Sequence, residues 1–145
     1  MNCYGIKRNL WILFVTLILL SGCTLPSKFE IYNNTGTELR VVQHLCGEIE
    51  SHDISPNSSV TVESWEVCFD KDYFTVLAGK EQWNYRPVYI SHKYGESKYF
   101  SHWLFRVQIE KGGSVFVLER GASFPQTKHT AQPEGYPLRP RDENV

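Results

Sequence analysis

The chain predicts an all-β fold, a small antiparallel β-sandwich of about seven strands with an extended C-terminal tail. Three observations predict it. Short stretches of alternating apolar and polar residues recur between residues 28 and 120. Turn residues separate them at regular intervals. No segment sustains a helical period, and no internal repeat is present. Such a pattern suits two stacked sheets or a barrel. An immunoglobulin-like sandwich is the best single guess, although its usual cysteine–tryptophan–cysteine spacing is not evident, since Trp65 lies only three residues before Cys68.

Taken in order, Lys28–Tyr32 alternates, with Phe29 and Ile31 on one face. Asn33-Asn34-Thr35-Gly36 tolerates the left-handed backbone of tight turns and predicts a hairpin. Its second arm, Thr37–Leu45, sets Leu39, Val41 and Leu45 opposite Arg40 and His44, and Cys46-Gly47 ends it. Glu48–Ser59 reads as a polar loop with a turn at Ser55-Pro56-Asn57. Val60–Val62 is a short strand, and Trp65–Cys68 a connection. Tyr73–Ala78 turns at Gly79-Lys80 into Gln82–Ile90, where Pro87 implies an edge or a bulge. His92–Ser101 reads as a polar, aromatic loop with at most a helical turn. Trp103, Phe105, Val107 and Ile109 alternate cleanly, and Glu110-Lys111-Gly112-Gly113 turns the chain into Ser114–Glu119.

Four of the seven prolines fall in the last 25 residues, and apolar residues thin out there. That composition favours a solvated tail over an extended binding arm.

Ahead of the sandwich, residues 1–9 carry Lys7 and Arg8 and no acid. Leu10 to Leu20 is an apolar run of 11 residues broken only by Thr16. As a helix it would span about 17 Å against a hydrocarbon core of about 30 Å. The run is thus short for a membrane span and suited to a signal peptide. Ser21, Gly22 and Cys23 come next. The ordered series, ending in Leu20-Ser21-Gly22-Cys23, resembles the signal peptide and lipobox of bacterial lipoproteins; an ordinary secretory signal or an uncleaved anchor is the alternative. The resemblance covers residues 1–23 only. It implies cleavage before Cys23, acylation of that cysteine, and stable anchoring by two or more acyl chains. It also implies a cell-envelope location, and Thr24 in place of aspartate favours the outer membrane, with the domain facing the periplasm. The chain then divides into a signal peptide (1–22), an acylated cysteine with a short tether (23–27), the sandwich (28–120) and the Pro-rich tail (121–145). Five extended residues from Cys23 to Ser27 span at most about 17 Å, which keeps the domain on the membrane surface.

Removing residues 1–22 takes away Lys7 and Arg8 and no acid, leaving 13 basic and 16 acidic side chains. No basic patch suggests nucleic acid, and mild acidity argues against binding anionic headgroups by charge alone. Of the four cysteines, Cys3 leaves with the signal peptide and Cys23 is acylated. Cys46 and Cys68 remain, a default disulfide in an oxidising compartment, with two free buried thiols as the alternative. The five histidines are scattered without ligand spacing, so no metal is expected. No cofactor motif is present. His52-Asp53 adjoin in a polar stretch but do not suggest a working dyad, and no serine lies in a nucleophile elbow.

Aromatic density between residues 83 and 105 is the most suggestive feature. Trp83, Tyr85 and Tyr89 share one strand face, and Trp103 and Phe105 suit a core. Tyr94, Tyr99 and Phe100, flanked by Lys93 and Lys98, are the candidate binding surface. The expectation is a membrane-anchored, non-enzymatic module that binds an envelope protein. Immunity proteins against secreted effectors and accessory subunits of envelope machines share this layout. A glycan- or lipid-binding module using residues 83–105 is the alternative.

Overall fold

A computed structural model describes residues 27–45, 48–63, 73–86, 88–98, 102–129 and 131–141. Among these, the strands are β1 (Ser27–Asn34), β2 (Leu39–Leu45), β3 (Glu48–Ile54), β4 (Ser59–Glu63), β5 (Tyr73–Ala78), β6 (Glu81–Tyr85), β7 (Glu96–Lys98), β8 (His102–Glu110) and β9 (Val115–Val117). They form two sheets. One runs β4-β1-β8-β7, and β9 also pairs with β8; the other runs β3-β2-β5-β6. β7 and β9 lie end to end along one edge of β8, at His102–Leu104 and Val107–Ile109. The fold is all-β and sandwich-like, as expected.

Alternation puts Phe29 and Ile31 of β1 and Phe105, Val107 and Ile109 of β8 on one inner face. Leu39 and Val41 of β2, Phe74 and Val76 of β5, and Trp83 and Tyr85 of β6 supply the other. All belong to one buried cluster. Each such aliphatic or phenylalanine side chain contributes about 1.5–3 kcal/mol relative to exposure.

The expected hairpin at Asn33–Gly36 is a corner between sheets. β1 pairs with β4 and β8, whereas β2 pairs with β3 and β5. The fully buried Asn33 explains the change. Its Nδ2 donates to the carbonyls of Thr37 (2.7 Å) and Ile54 (2.9 Å), and its Oδ1 accepts from the Thr35 amide (3.0 Å) and hydroxyl (2.8 Å). Asparagine signals a turn because its side chain imitates a backbone group, and that imitation serves a corner as well as a hairpin.

The sandwich is also not wholly antiparallel. β1 runs parallel to β8, with Ser27 opposite Trp103 and Asn34 opposite Glu110. Because the chain leaves this sheet at the corner, the edge of β1 is filled by a strand from far along the sequence. Glu48–Ile54, expected to be loop, is an edge strand paired along its whole length with β2. Its exposed, largely polar residues hid it, yet charge on an edge strand guards against unwanted pairing. Pro87, Trp65 and the connection at 65–68 lie outside the described residues.

The described part of the tail is not a free solvated arm but packs along the sandwich, with its exposed residues facing water. Phe124 stacks on Tyr32 at 4.7 Å. The Gln132 amide donates to the Val117 carbonyl (2.9 Å) and accepts from its N–H (2.8 Å), and Gln126 exchanges a similar pair through its own backbone with the Gln108 side chain. The buried Leu138 bridges Val115 with two main-chain bonds, and the Arg141 N–H donates to the Asn84 carbonyl (3.0 Å). The segment therefore straps the seam between β9 of one sheet and β6 of the other. Gly113 lets it close. At φ 81°, a Cβ here would lie 2.8 Å from both Pro140 Cγ and the Tyr85 hydroxyl oxygen. That hydroxyl donates to the Gly113 carbonyl (2.6 Å), and burial pushes its pKa well up.

Candidate functional site

β1 and β8 start at the same end of their sheet. Trp103 belongs to the inward row of Phe105, Val107 and Ile109, but the core runs out at the strand's start and Trp103 is only half-buried. The exposed His92 ring covers it, with centroids 4.6 Å apart and planes 4° apart. Tyr89 meets His92 edge-on at 6.2 Å and is 74 % exposed. These three rings form an aromatic surface beside Ser27.

Backbone closure and one arginine fix His92. A single 3-10 turn, His92–Tyr94, is closed by Tyr94 N–H to Ser91 O and Gly95 N–H to His92 O. The Arg120 guanidinium donates to the Gly95 carbonyl (2.9 Å). Gly95 packs so closely on Phe105 that a Cβ would lie 2.8 Å from its ring. On the adjoining face, Arg106 holds Glu30 (2.9 Å) and Glu96. Burial alone would lower the Arg106 pKa, but these hydrogen bonds and charges outweigh it and raise it. Beside Ser27, Lys28 pairs with Glu63 at 2.7 Å, and that hydrogen bond holds the Glu63 carboxyl below its usual value.

Of the aromatic residues singled out in the sequence, Tyr94 is half-buried against the core with the Lys93 ammonium 4.9 Å from its ring centroid. Tyr99 and Phe100 lie outside the described residues. Trp83 and Tyr85 are core, whereas β6 ends at Tyr85 and Tyr89 turns outward. The rings found together are thus Tyr89, His92 and Trp103. Pro87 in the sequence was the available clue, since a proline is disfavoured within a strand and weakens the case that Tyr89 shares the face of Trp83 and Tyr85. Cys23, Cys46 and Cys68 also lie outside the described residues.

His52 and Asp53, neighbours on β3, point to opposite faces. His52 Nε2 lies 3.8 Å from Glu50, and Asp53 is held by Arg40 at 2.6 Å. Asp53's carboxyl is held below its usual value by that hydrogen bond. Across from Glu50, the buried Gln43 has, among the described residues, no hydrogen-bond partner at either side-chain polar atom. Among the described residues no three His, Cys, Asp or Glu side chains gather as a metal site would require.

A second feature is an open groove of about 600 Å³ on the outer face of the four-stranded sheet. Val42, Leu77 and Asn84 form its floor and Arg141 its wall. The Thr75 hydroxyl donates to the Asn84 side-chain oxygen (2.8 Å) within it. No protein-family model matches the chain, and no curated protein matches it either.

Proposed function

We propose that this is a lipid-anchored envelope protein, held by acyl chains on Cys23 with the outer membrane favoured. It binds another protein at the membrane surface and catalyses no reaction. An immunity protein against a secreted effector and an accessory subunit of an envelope machine both fit this description. The observation that carries the reading is the shortness of the tether. β1 begins at Ser27, four residues after Cys23, so the folded domain reaches only a partner that comes to the bilayer. The groove over Val42 and Leu77, with the exposed Ile49 beyond it, is the surface for that partner. An immunoglobulin-like architecture is part of the same proposal. The sheet change after β1 supports it, and the parallel β1–β8 pair counts against it.

A photo-crosslinking residue in place of Leu77 tests the reading in native envelopes. The expected result is one discrete protein adduct, lost when Cys23→Ala frees the chain from the membrane. A chain that gives no adduct but binds a glycan array through Tyr89 would favour the glycan reading, which rests on that exposed ring. Cys46 and Cys68 are bonded in this proposal; blocking of free thiols before mass spectrometry would label neither, and labelling of both would refute the bond.

A further inference from the structure

We infer that the surface formed by Tyr89, His92 and Trp103 seats in the headgroup interface of the membrane that holds Cys23. This rests on the lipid-anchor reading above. It adds an orientation and a second membrane contact, made by side chains rather than acyl chains.

The argument is one of reach. Ser27 pairs with Trp103, and neighbouring strands lie about 4.8 Å apart. From Cys23 to Ser27 the chain spans at most about 17 Å in any conformation. The headgroup layer takes up about 5–8 Å of that, half the difference between the full bilayer and its hydrocarbon core. The tether end therefore stays within roughly 10 Å of the membrane surface. The Asn33 corner lies at the far end of β1, and β8 beside it has nine residues, or about 30 Å. Of the two ends of this sheet, only the one carrying the rings is constrained to the membrane.

The chemistry suits that position. Tyrosine and tryptophan prefer the boundary between apolar and wet layers, because each has an apolar ring and a polar group. Tyr89 is exposed despite its size, and Val88 beside it is 38 % exposed. The net acidity of the mature chain makes attraction to anionic headgroups a poor alternative, so rings must supply the contact. A sugar would need a free, flat ring face. Here His92 already covers one face of Trp103, the larger ring, so only Tyr89 offers one.

The test uses the full-length, acylated protein reconstituted in vesicles of phosphatidylethanolamine and phosphatidylglycerol, with bromine near the top of the acyl chains. Two variants report depth, Tyr89→Trp at the rings and Thr37→Trp at the corner, each read as its difference from the unsubstituted protein. Both positions are exposed, so an unchanged melting temperature is expected for each. The expected result is loss of most of the added emission at position 89 and none at position 37. Equal quenching at both positions, or none at position 89 in protein whose acyl chains are present by mass, overturns the orientation and leaves the anchor standing. Absence of acyl chains overturns the anchor and this inference with it. A protein adduct from a crosslinker at position 89 in native envelopes, without quenching in vesicles, assigns the rings to a protein partner and also overturns it.

Discussion

At the Asn33 corner, four side-chain hydrogen bonds join the turn to Thr35, Thr37 and Ile54, and main-chain bonds to Asn57 and Ser58 complete it. At the other end of the same strands, beside Ser27 and Trp103, three rings gather at the surface and Tyr89 stands largely in water. Farther along β2, the buried Gln43 meets no hydrogen-bond partner among the described residues. An unmet buried amide costs about 1–3 kcal/mol. One end is closed by its own polar groups and by the C-terminal strap. The other holds apolar surface that water serves poorly. In the proposed reading, the difference separates a part of the molecule that serves stability from a part that serves contact.

The comparison is broken most strongly at the corner. Asn33→Ala removes donors from two carbonyls and an acceptor from Thr35 in a fully buried site, and a loss of about 3 kcal/mol is expected by urea denaturation. A loss under about 1 kcal/mol would mean that water replaces the side chain and the corner is not closed as described. Leu138→Ala tests the strap. Leu138 is 6 % exposed, and its truncation should cost about 2–3 kcal/mol, whereas a solvated tail would leave the transition unmoved.

The same kind of change has the opposite sign on β2. Gln43→Leu replaces an unmet amide by an apolar side chain of similar size, and an unchanged or raised stability, by up to about 1.5 kcal/mol, is expected from the same denaturation curves. Marked destabilisation would show that Gln43 has a partner after all. The smallest effect belongs to Lys28 and Glu63. Because Glu63 titrates below its usual value when folded, the pair stabilises the protein above the ordinary carboxylate range and loses that contribution as pH falls through the lowered value. Both side chains are at least partly exposed, so Lys28→Ala should lower the melting temperature slightly at neutral pH and not at all in acid. A difference that persists in acid would point to packing of the lysine stem instead.

The sequence shows this fold wherever periodicity is visible. Phe29 and Ile31, and Phe105 to Ile109, alternate because one face of each strand meets the core, and both strands are where the pattern puts them. β3 lacks that pattern, being an edge whose residues are exposed except for the half-buried His52 and the buried Ile54 at its end. The corner is invisible because Asn33 serves a hairpin or a sheet change equally well, and only the distant carbonyl of Ile54 decides between them. The strap buries Leu138 and Pro133 at irregular spacing, through two glutamine amides that composition counts as polar. Of the aromatic site, the dense region was legible and its members were not. Tyr94 faces inward, Tyr89 outward, and the contact of His92 with Trp103 joins segments that sequence spacing does not relate.

In the proposed reading a lipid on Cys23 ties the exposed end to a membrane, and that lipid can be measured directly. Cells expressing the protein are fed a clickable palmitate analogue, and label is followed in the wild-type chain and in Cys23→Ala. The expected result is a labelled wild-type protein in the membrane fraction, shortened by 22 residues, and a Cys23→Ala variant with neither label nor that cleavage. Label retained in the variant, or an unlabelled wild-type protein released from the membrane, would contradict it.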